Sequence, residues 1–219
     1  MPSCTGSNSN QIQVSTAASV KIVNGDDADI KDHPWMVSFQ LGKSGVNFTH
    51  KCGGAIIDKS WHNKFEPGTT GLQNDLMLLQ LRKPLKFGSS IKQIDLDINK
   101  GHNYTGQVCT ITGWGKTDAK GKNSPDRLQV QYMPVVTNAY CNSTWFLFQK
   151  YSLFPEAYSK NFICLQDNIK DSCEGDSGGP MVCSNKLVGA LSLGANPAME
   201  VYQVCIPKFL LTWTGLKTK

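Results

Sequence analysis

The chain has 219 residues, 40% of them hydrophobic and 18% charged, with a formal net charge of +5. That length holds one all-β domain or two small ones, and a domain of this size buries about 70% of its extended-chain surface, so folding needs no covalent staples. The composition excludes disorder, no apolar run approaches the roughly 18 residues of a membrane-spanning helix, and the mild, scattered positive charge offers no nucleic-acid-binding patch.

Residues 1–21 are rich in Ser, Thr, Asn and Gln and lack the apolar stretch of about 7–15 residues that marks a signal peptide, so the true start is expected upstream or the gene product is incomplete. Short apolar runs follow: Trp35 to Phe39, Ala55 to Ile57, Leu76 to Leu81, Val108 to Thr112, Leu128 to Val136, Pro180 to Cys183 and Leu187 to Leu193. Turn signals separate them, among them Asn24-Gly25-Asp26, Leu41-Gly42-Lys43, Pro67-Gly68, Lys120-Gly121-Lys122 and Gly178-Gly179-Pro180. Runs of this length between turns predict strands, and so many of them predict a sandwich or barrel. Only the tail, about Lys208 to Leu216, reads as helical. A composition shift near Ile98 to Gly106 suggests a join between two halves, about 22–105 and 106–219.

The eight cysteines stand at 4, 52, 109, 141, 164, 173, 183 and 205. No Cys-x-x-Cys pair occurs, so disulfides in an oxidising compartment are expected rather than a metal site. Three Asn-x-Ser/Thr sequons agree weakly with secretion: Asn47-Phe48-Thr49, Asn103-Tyr104-Thr105 and Asn142-Ser143-Thr144.

The most informative stretch is Asp171-Ser172-Cys173-Glu174-Gly175-Asp176-Ser177-Gly178-Gly179-Pro180. A serine among glycines can sit on a tight turn, its hydroxyl exposed, while neighbouring backbone N–H groups converge on one spot. A nucleophile with an oxyanion hole needs that arrangement. The plain alternative is an Asp/Ser/Gly surface turn, which a bare Ser-Gly-Gly would favour and the full ten residues do not.

The segment resembles the nucleophile loop of the chymotrypsin/trypsin-like serine proteases. Further similar pieces, in order, are Ile22-Val23-Asn24-Gly25, Pro34-Trp35-Met36-Val37-Ser38, Cys52-Gly53-Gly54-Ala55-Ile56-Ile57, Asn74-Asp75-Leu76-Met77-Leu78-Leu79, Thr112-Gly113-Trp114-Gly115 and Val201-Tyr202. The resemblance runs from Ile22 to about Trp213. It implies an all-β fold of two antiparallel six-stranded barrels with the site between them, and no cofactor. It implies a secreted, monomeric protein acting on a protein or peptide substrate. Ser177 resembles the nucleophile and Asp75 the acid that orients the histidine; Gly175 and Ser177 would supply the oxyanion-hole N–H groups. Asp171 resembles the carboxylate at the base of the specificity pocket, which selects Arg or Lys. Ser192, Gly194 and Glu200 fall where the family has its pocket wall. Lys21–Ile22 resembles an activation cleavage site, suited to a trypsin-like activator; cutting it would free an Ile22 ammonium to pair with Asp176 and make residues 1–21 a propeptide. The pairings Cys109–Cys183 and Cys141–Cys164 are implied, whereas Cys4, Cys52, Cys173 and Cys205 have no implied partner.

The chain departs from the family at the base. Family members carry the histidine in a Thr-Ala-Ala-His-Cys segment after Cys-Gly-Gly. Here Trp61 runs straight into His62-Asn63-Lys64-Phe65, and several tens of residues are missing between Cys52 and Asp75, with the histidine and the usual partner of Cys52 among them. The first barrel is therefore expected to be incomplete, with Cys52 an unpaired thiol. Of the four histidines, His33 is expected in an exposed loop, His50 in a structural role and His102 between the barrels. His62 is the one weak surrogate, and it would have to reach both Asp75 and Ser177. A second departure follows Ser192-Leu193-Gly194, where a shortened loop lacks the family's cysteine. Three readings stay open: an endopeptidase family member inactive in this form, an active one whose full transcript restores the missing block, and a pseudoprotease that binds a protein ligand.

Overall fold

The computed structural model describes residues 25–42, 48–58, 78–79, 81–99, 101–116, 125–141, 143, 162–167, 172–194 and 202–207; of 193–194 and 202–207 it describes the backbone. Ten strands lie among them: β1 (Asp26–Asp27), β2 (Met36–Leu41), β3 (Thr49–Ala55), β4 (Val108–Gly113), β5 (Gln129–Pro134), β6 (Phe162–Asp167), β7 (Pro180–Cys183), β8 (Lys186–Ala190), β9 (Leu193–Gly194) and β10 (Tyr202–Pro207). The protein is all-β here, with one helical turn over 138–141. The helix expected near Lys208 to Leu216 lies outside the described residues, as does all of the expected 76–81 strand but Leu78, Leu79 and Leu81.

Strands from the second half close into a ring. One antiparallel sheet has the order β1-β5-β4-β7-β8, and another β6-β10-β9. The two are joined on one side by the Val135–Leu165 bridge, with Val136 N–H donating to Cys164 O at 2.9 Å. On the other side β8 runs through Leu191 and Ser192 directly into β9. Counting β8 and β9 as one bent strand, six strands surround a core that includes Cys109 and Ile111 of β4, Met133 of β5, Ile163 and Leu165 of β6 and Met181 and Cys183 of β7. These residues alternate along their strands, as one buried sheet face requires. Pro180 opens β7, where the missing N–H of proline costs no ladder bond.

From the first half, the described residues give one hairpin, β2–β3, with a register shift at Phe39/Gln40. Residues 92–94 run beside it: Lys92 N–H donates to Pro34 O and Ile94 N–H to Ile56 O. The halves interlock rather than abut. The short β1 pairs with β5, and Leu96 bridges Leu187. Met36, Trp114 and Leu128 share one buried cluster, with the Thr112 hydroxyl donating to the Met36 sulfur at 2.9 Å.

Several expectations are corrected. Of Ala55 to Ile57 only Ala55 lies in a strand, as its last residue, because β3 runs Thr49–Ala55 and its polar first residues hid it. β6, a further run of apolar residues, has no Gly or Pro at its edges to announce it. His33 is half-buried and packs edge-on against Trp35 with ring centroids 5.7 Å apart. Burial holds its pKa below the ordinary histidine value, against the raising effect of Asp32. Cys52 is not an unpaired thiol but is disulfide-bonded. Loss of one usual partner does not fix connectivity, since any cysteine within bonding reach can serve. Cys109 is bonded to Cys183 and Cys141 to Cys164, with Cα atoms 4.6 and 6.0 Å apart.

Candidate active site

The segment 172–179 leads into β7 as a tight double turn. Gly175 (φ +105°) and Gly178 (φ +81°) adopt left-handed backbone that side chains resist. Asp176 N–H donates to Cys173 O at 3.0 Å, and Gly179 N–H to Asp176 O at 2.9 Å. The turn is stitched to the β8–β9 bend, with Gly178 N–H donating to Leu191 O at 2.7 Å and Leu191 N–H to Gly179 O at 2.8 Å. Ser177 is half-buried in this turn, and Ser192, next to Leu191 in the bend, is buried.

The first half braces the same turn. Gly53 N–H donates to Ser177 O at 2.9 Å. A Cβ on Gly53 would lie 2.8 Å from the Gly179 Cα, so only glycine permits this approach. His50 donates from Nε2 to Gly175 O at 2.9 Å. A carbonyl can only accept, so Nδ1 of the neutral ring accepts from the Ser38 hydroxyl at 2.7 Å, and Ser38 Oγ accepts in turn from Gln40 Nε2 at 3.2 Å. Burial lowers the His50 pKa; the bond to Gly175 opposes this and Lys51 adds to it. His50 is thus a neutral strut for the loop, the structural role expected of it. Its partner was not legible.

Asp176 points inward and is 2% exposed. Oδ1 accepts from Gly115 N–H at 2.8 Å and Oδ2 from Cys173 N–H at 2.9 Å. Burial pushes its carboxyl up to about 6, although both N–H groups pull it down. At the rim, Lys116 and Glu174 form an ion pair that the sequence did not single out.

A serine hydroxyl needs a base to become a useful nucleophile. His50 has both ring nitrogens committed, as shown. His102 does too: Nδ1 faces Asp97 Oδ2 at 3.1 Å and Nε2 faces Gln107 Nε2 at 3.1 Å. Asp75, His62, Asp171, Glu200, Lys21 and Ile22 lie outside the described residues. Among the described residues, no group of three or more His, Cys, Asp or Glu side chains is placed to hold a metal ion.

The Trypsin family model matches residues 22–62 and 60–213, two segments that meet at 60–62. The trypsin of Xenopus laevis is 31% identical over 220 aligned positions, covering 83% of this chain and 84% of that protein. Because 83% of 219 residues falls short of 220 positions, the alignment opens gaps in this chain. Serine protease 1 of Canis lupus familiaris is 29% identical, covering 82% of each. A solved structure described as "Structure of GrC" superposes with a TM-score of 0.67 at 24% identity, covering 88% of this chain and 97% of that one.

Proposed function

Since the chain belongs to the trypsin family of serine proteases, we propose that it keeps the nucleophile and oxyanion loop of an endopeptidase but, as this 219-residue chain, does not hydrolyse peptides. In this reading Ser177 is the nucleophile, the N–H groups of Gly175 and Ser177 form the oxyanion hole, and Asp75 is an orienting acid with no histidine to orient. The observation that carries it is the break in the family match at 60–62, where the histidine-bearing block belongs, with His50 and His102 bonded at both nitrogens elsewhere. For this same family, removing a triad member leaves about 10³–10⁴-fold over water, too little for useful proteolysis.

The finer parts of the reading follow from the same resemblance. The ancestral substrate is a protein or peptide with Arg or Lys before the cut, selected by Asp171 in a pocket walled by Ser192, Gly194 and Glu200. Residues 1–21 are a propeptide released at Lys21–Ile22 by a trypsin-like activator, and the protein is secreted and monomeric. A buried carboxyl raised to about 6 is short of positive charge, and the Ile22 ammonium would supply it at Asp176.

The test is the purified chain, cleaved at Lys21, with an Arg or Lys ester beside a Ser177→Ala control. The two should be indistinguishable. Turnover well above the control would overturn the proposal and assign the base to His62. The clean resumption of the family match also favours a second reading, a transcript that restores the block. An exon encoding a Thr-Ala-Ala-His-Cys-like peptide between the codons for Trp61 and His62 would establish it. Its absence, with protein detected at this length, would leave a pseudoprotease that binds a protein ligand.

A further inference from the structure

Asn103-Tyr104-Thr105 is the one sequon of the three whose residues are all described. Its side chains divide between core and water. Tyr104 is 4% exposed and donates its hydroxyl to Asp97 Oδ2 at 2.6 Å. Its ring stacks on His102 with centroids 4.2 Å apart. Burial first, and then the Asp97 carboxylate, push the phenol's pKa up, so it remains a donor. Burial pushes the Asp97 carboxyl up, but bonds from Tyr104, Asn99 N–H and His102 hold it below its ordinary value. The middle residue of the sequon is thus a fixed anchor.

Asn103 and Thr105 on either side are exposed. Thr105 N–H donates to Asn103 Oδ1 at 3.0 Å, an Asx turn that commits the oxygen end of the amide and leaves Nδ2 as the end outside the turn. Gln107 N–H closes the turn onto Tyr104 O at 2.8 Å, and Gly106 N–H ties it to Val135 O at 2.8 Å. A Cβ built on Gly106 would meet nothing within 4 Å, so the space beside the sequon is open.

We propose that Asn103 is an N-glycan acceptor. The donor is an oligosaccharide carried on a lipid pyrophosphate in the secretory compartment. A bond forms between Asn103 Nδ2 and sugar C1, the bond from C1 to the pyrophosphate oxygen breaks, the Nδ2 proton passes to a base of the transferase, and the lipid pyrophosphate leaves. The folded chain accommodates the product because the acceptor projects into water from a turn whose other face is already anchored. The inference is independent of catalysis at Ser177.

The full chain, expressed behind a cleavable secretion leader in a eukaryotic cell, is collected from both microsomes and medium, with leader removal confirming entry. Enzymatic deglycosylation in ¹⁸O-water should return the Asn103 peptide with ¹⁸O-labelled Asp in most chains. Thr105→Ala should abolish the label and remove one glycan's worth of mass, whereas Thr105→Ser should keep both. Transfer to a nascent chain precedes folding, so a chain that is retained still reports. An unlabelled Asn103 peptide in chains that have lost the leader, whether or not Asn47 and Asn142 are labelled, overturns the proposal. So does a label that survives Thr105→Ala.

Discussion

Asp176 holds its carboxyl between Gly113 and Gly115, where a Cβ would stand 2.2 Å from Oδ1 and 2.3 Å from Cγ. Burial raises its pKa from 3.8 to about 6, so between those values the folded chain keeps a proton that the unfolded chain has released. Stability then falls as pH rises through that window and stays lower above it, by about 3 kcal/mol. Asp176→Asn has no proton to lose. The unfolding free energy in urea, native minus variant, should shift by about 2 kcal/mol in the variant's favour between pH 4 and pH 7, most of the full linkage. A constant offset across the range would show that Asp176 is ionised throughout. On cleavage after Lys21 the slope should vanish or reverse, because a paired ammonium favours the carboxylate. Asp176 and Ser177 were legible in the sequence, since ten consecutive residues carry their own geometry. The hold of His50 on Gly175 O was not, because the partner lies 125 positions away and nothing local marks it.

The elements divide in the same way. β7 is read residue for residue as Pro180–Cys183, bounded by a proline at one end and a turn at the other. That turn, Ser184–Asn185, was missed because it has no glycine. Its φ values are +49° and +60°, the left-handed pair of a two-residue hairpin whose twist matches the flanking strands. Cys183 and Lys186 face each other across it. Asparagine tolerates this conformation and serine does so less well; a β-branched residue resists it. Both turn residues are exposed, so packing does not confuse the comparison. Ser184→Val should destabilise the protein by about 1–3 kcal/mol, while Ser184→Gly should be neutral or stabilising. The check is the urea midpoint of each variant at constant m-value. Equal midpoints for Val and Gly would mean that the hairpin does not depend on this turn. The Cys109–Cys183 bond ends one residue before it, so a loosened turn also loads a covalent tie between β4 and β7.

For the molecule as a whole, the turn that carries Ser177 is braced from both halves. The β2–β3 hairpin contributes Gly53 N–H and His50, and the β8–β9 bend contributes Leu191. Neither brace uses residues 59–77, so if a histidine block is missing there, as proposed, its loss leaves the turn supported while removing its base. On the proposed reading, inserting a Thr-Ala-Ala-His-Cys-bearing family block between Trp61 and His62 should give an endopeptidase that cleaves after Arg or Lys and not after Phe or Leu. Asp171 supplies the fixed charge. Removing one side of a buried ion pair costs about 3–5 kcal/mol, which is a preference of roughly a hundred- to a few-thousand-fold. The shortened loop after Gly194 opposes this. If it leaves Asp171 and Glu200 in water, the preference drops toward that of an exposed pair, about 1 kcal/mol or less. The deciding measurement is kcat/KM for matched peptides with Arg or Phe before the cut, on the restored enzyme and on its Asp171→Ser variant. A large Arg preference lost in the variant places the charge in a dry pocket. Equal rates for the two peptides, or an Arg preference that survives Asp171→Ser, would reject Asp171 as the determinant.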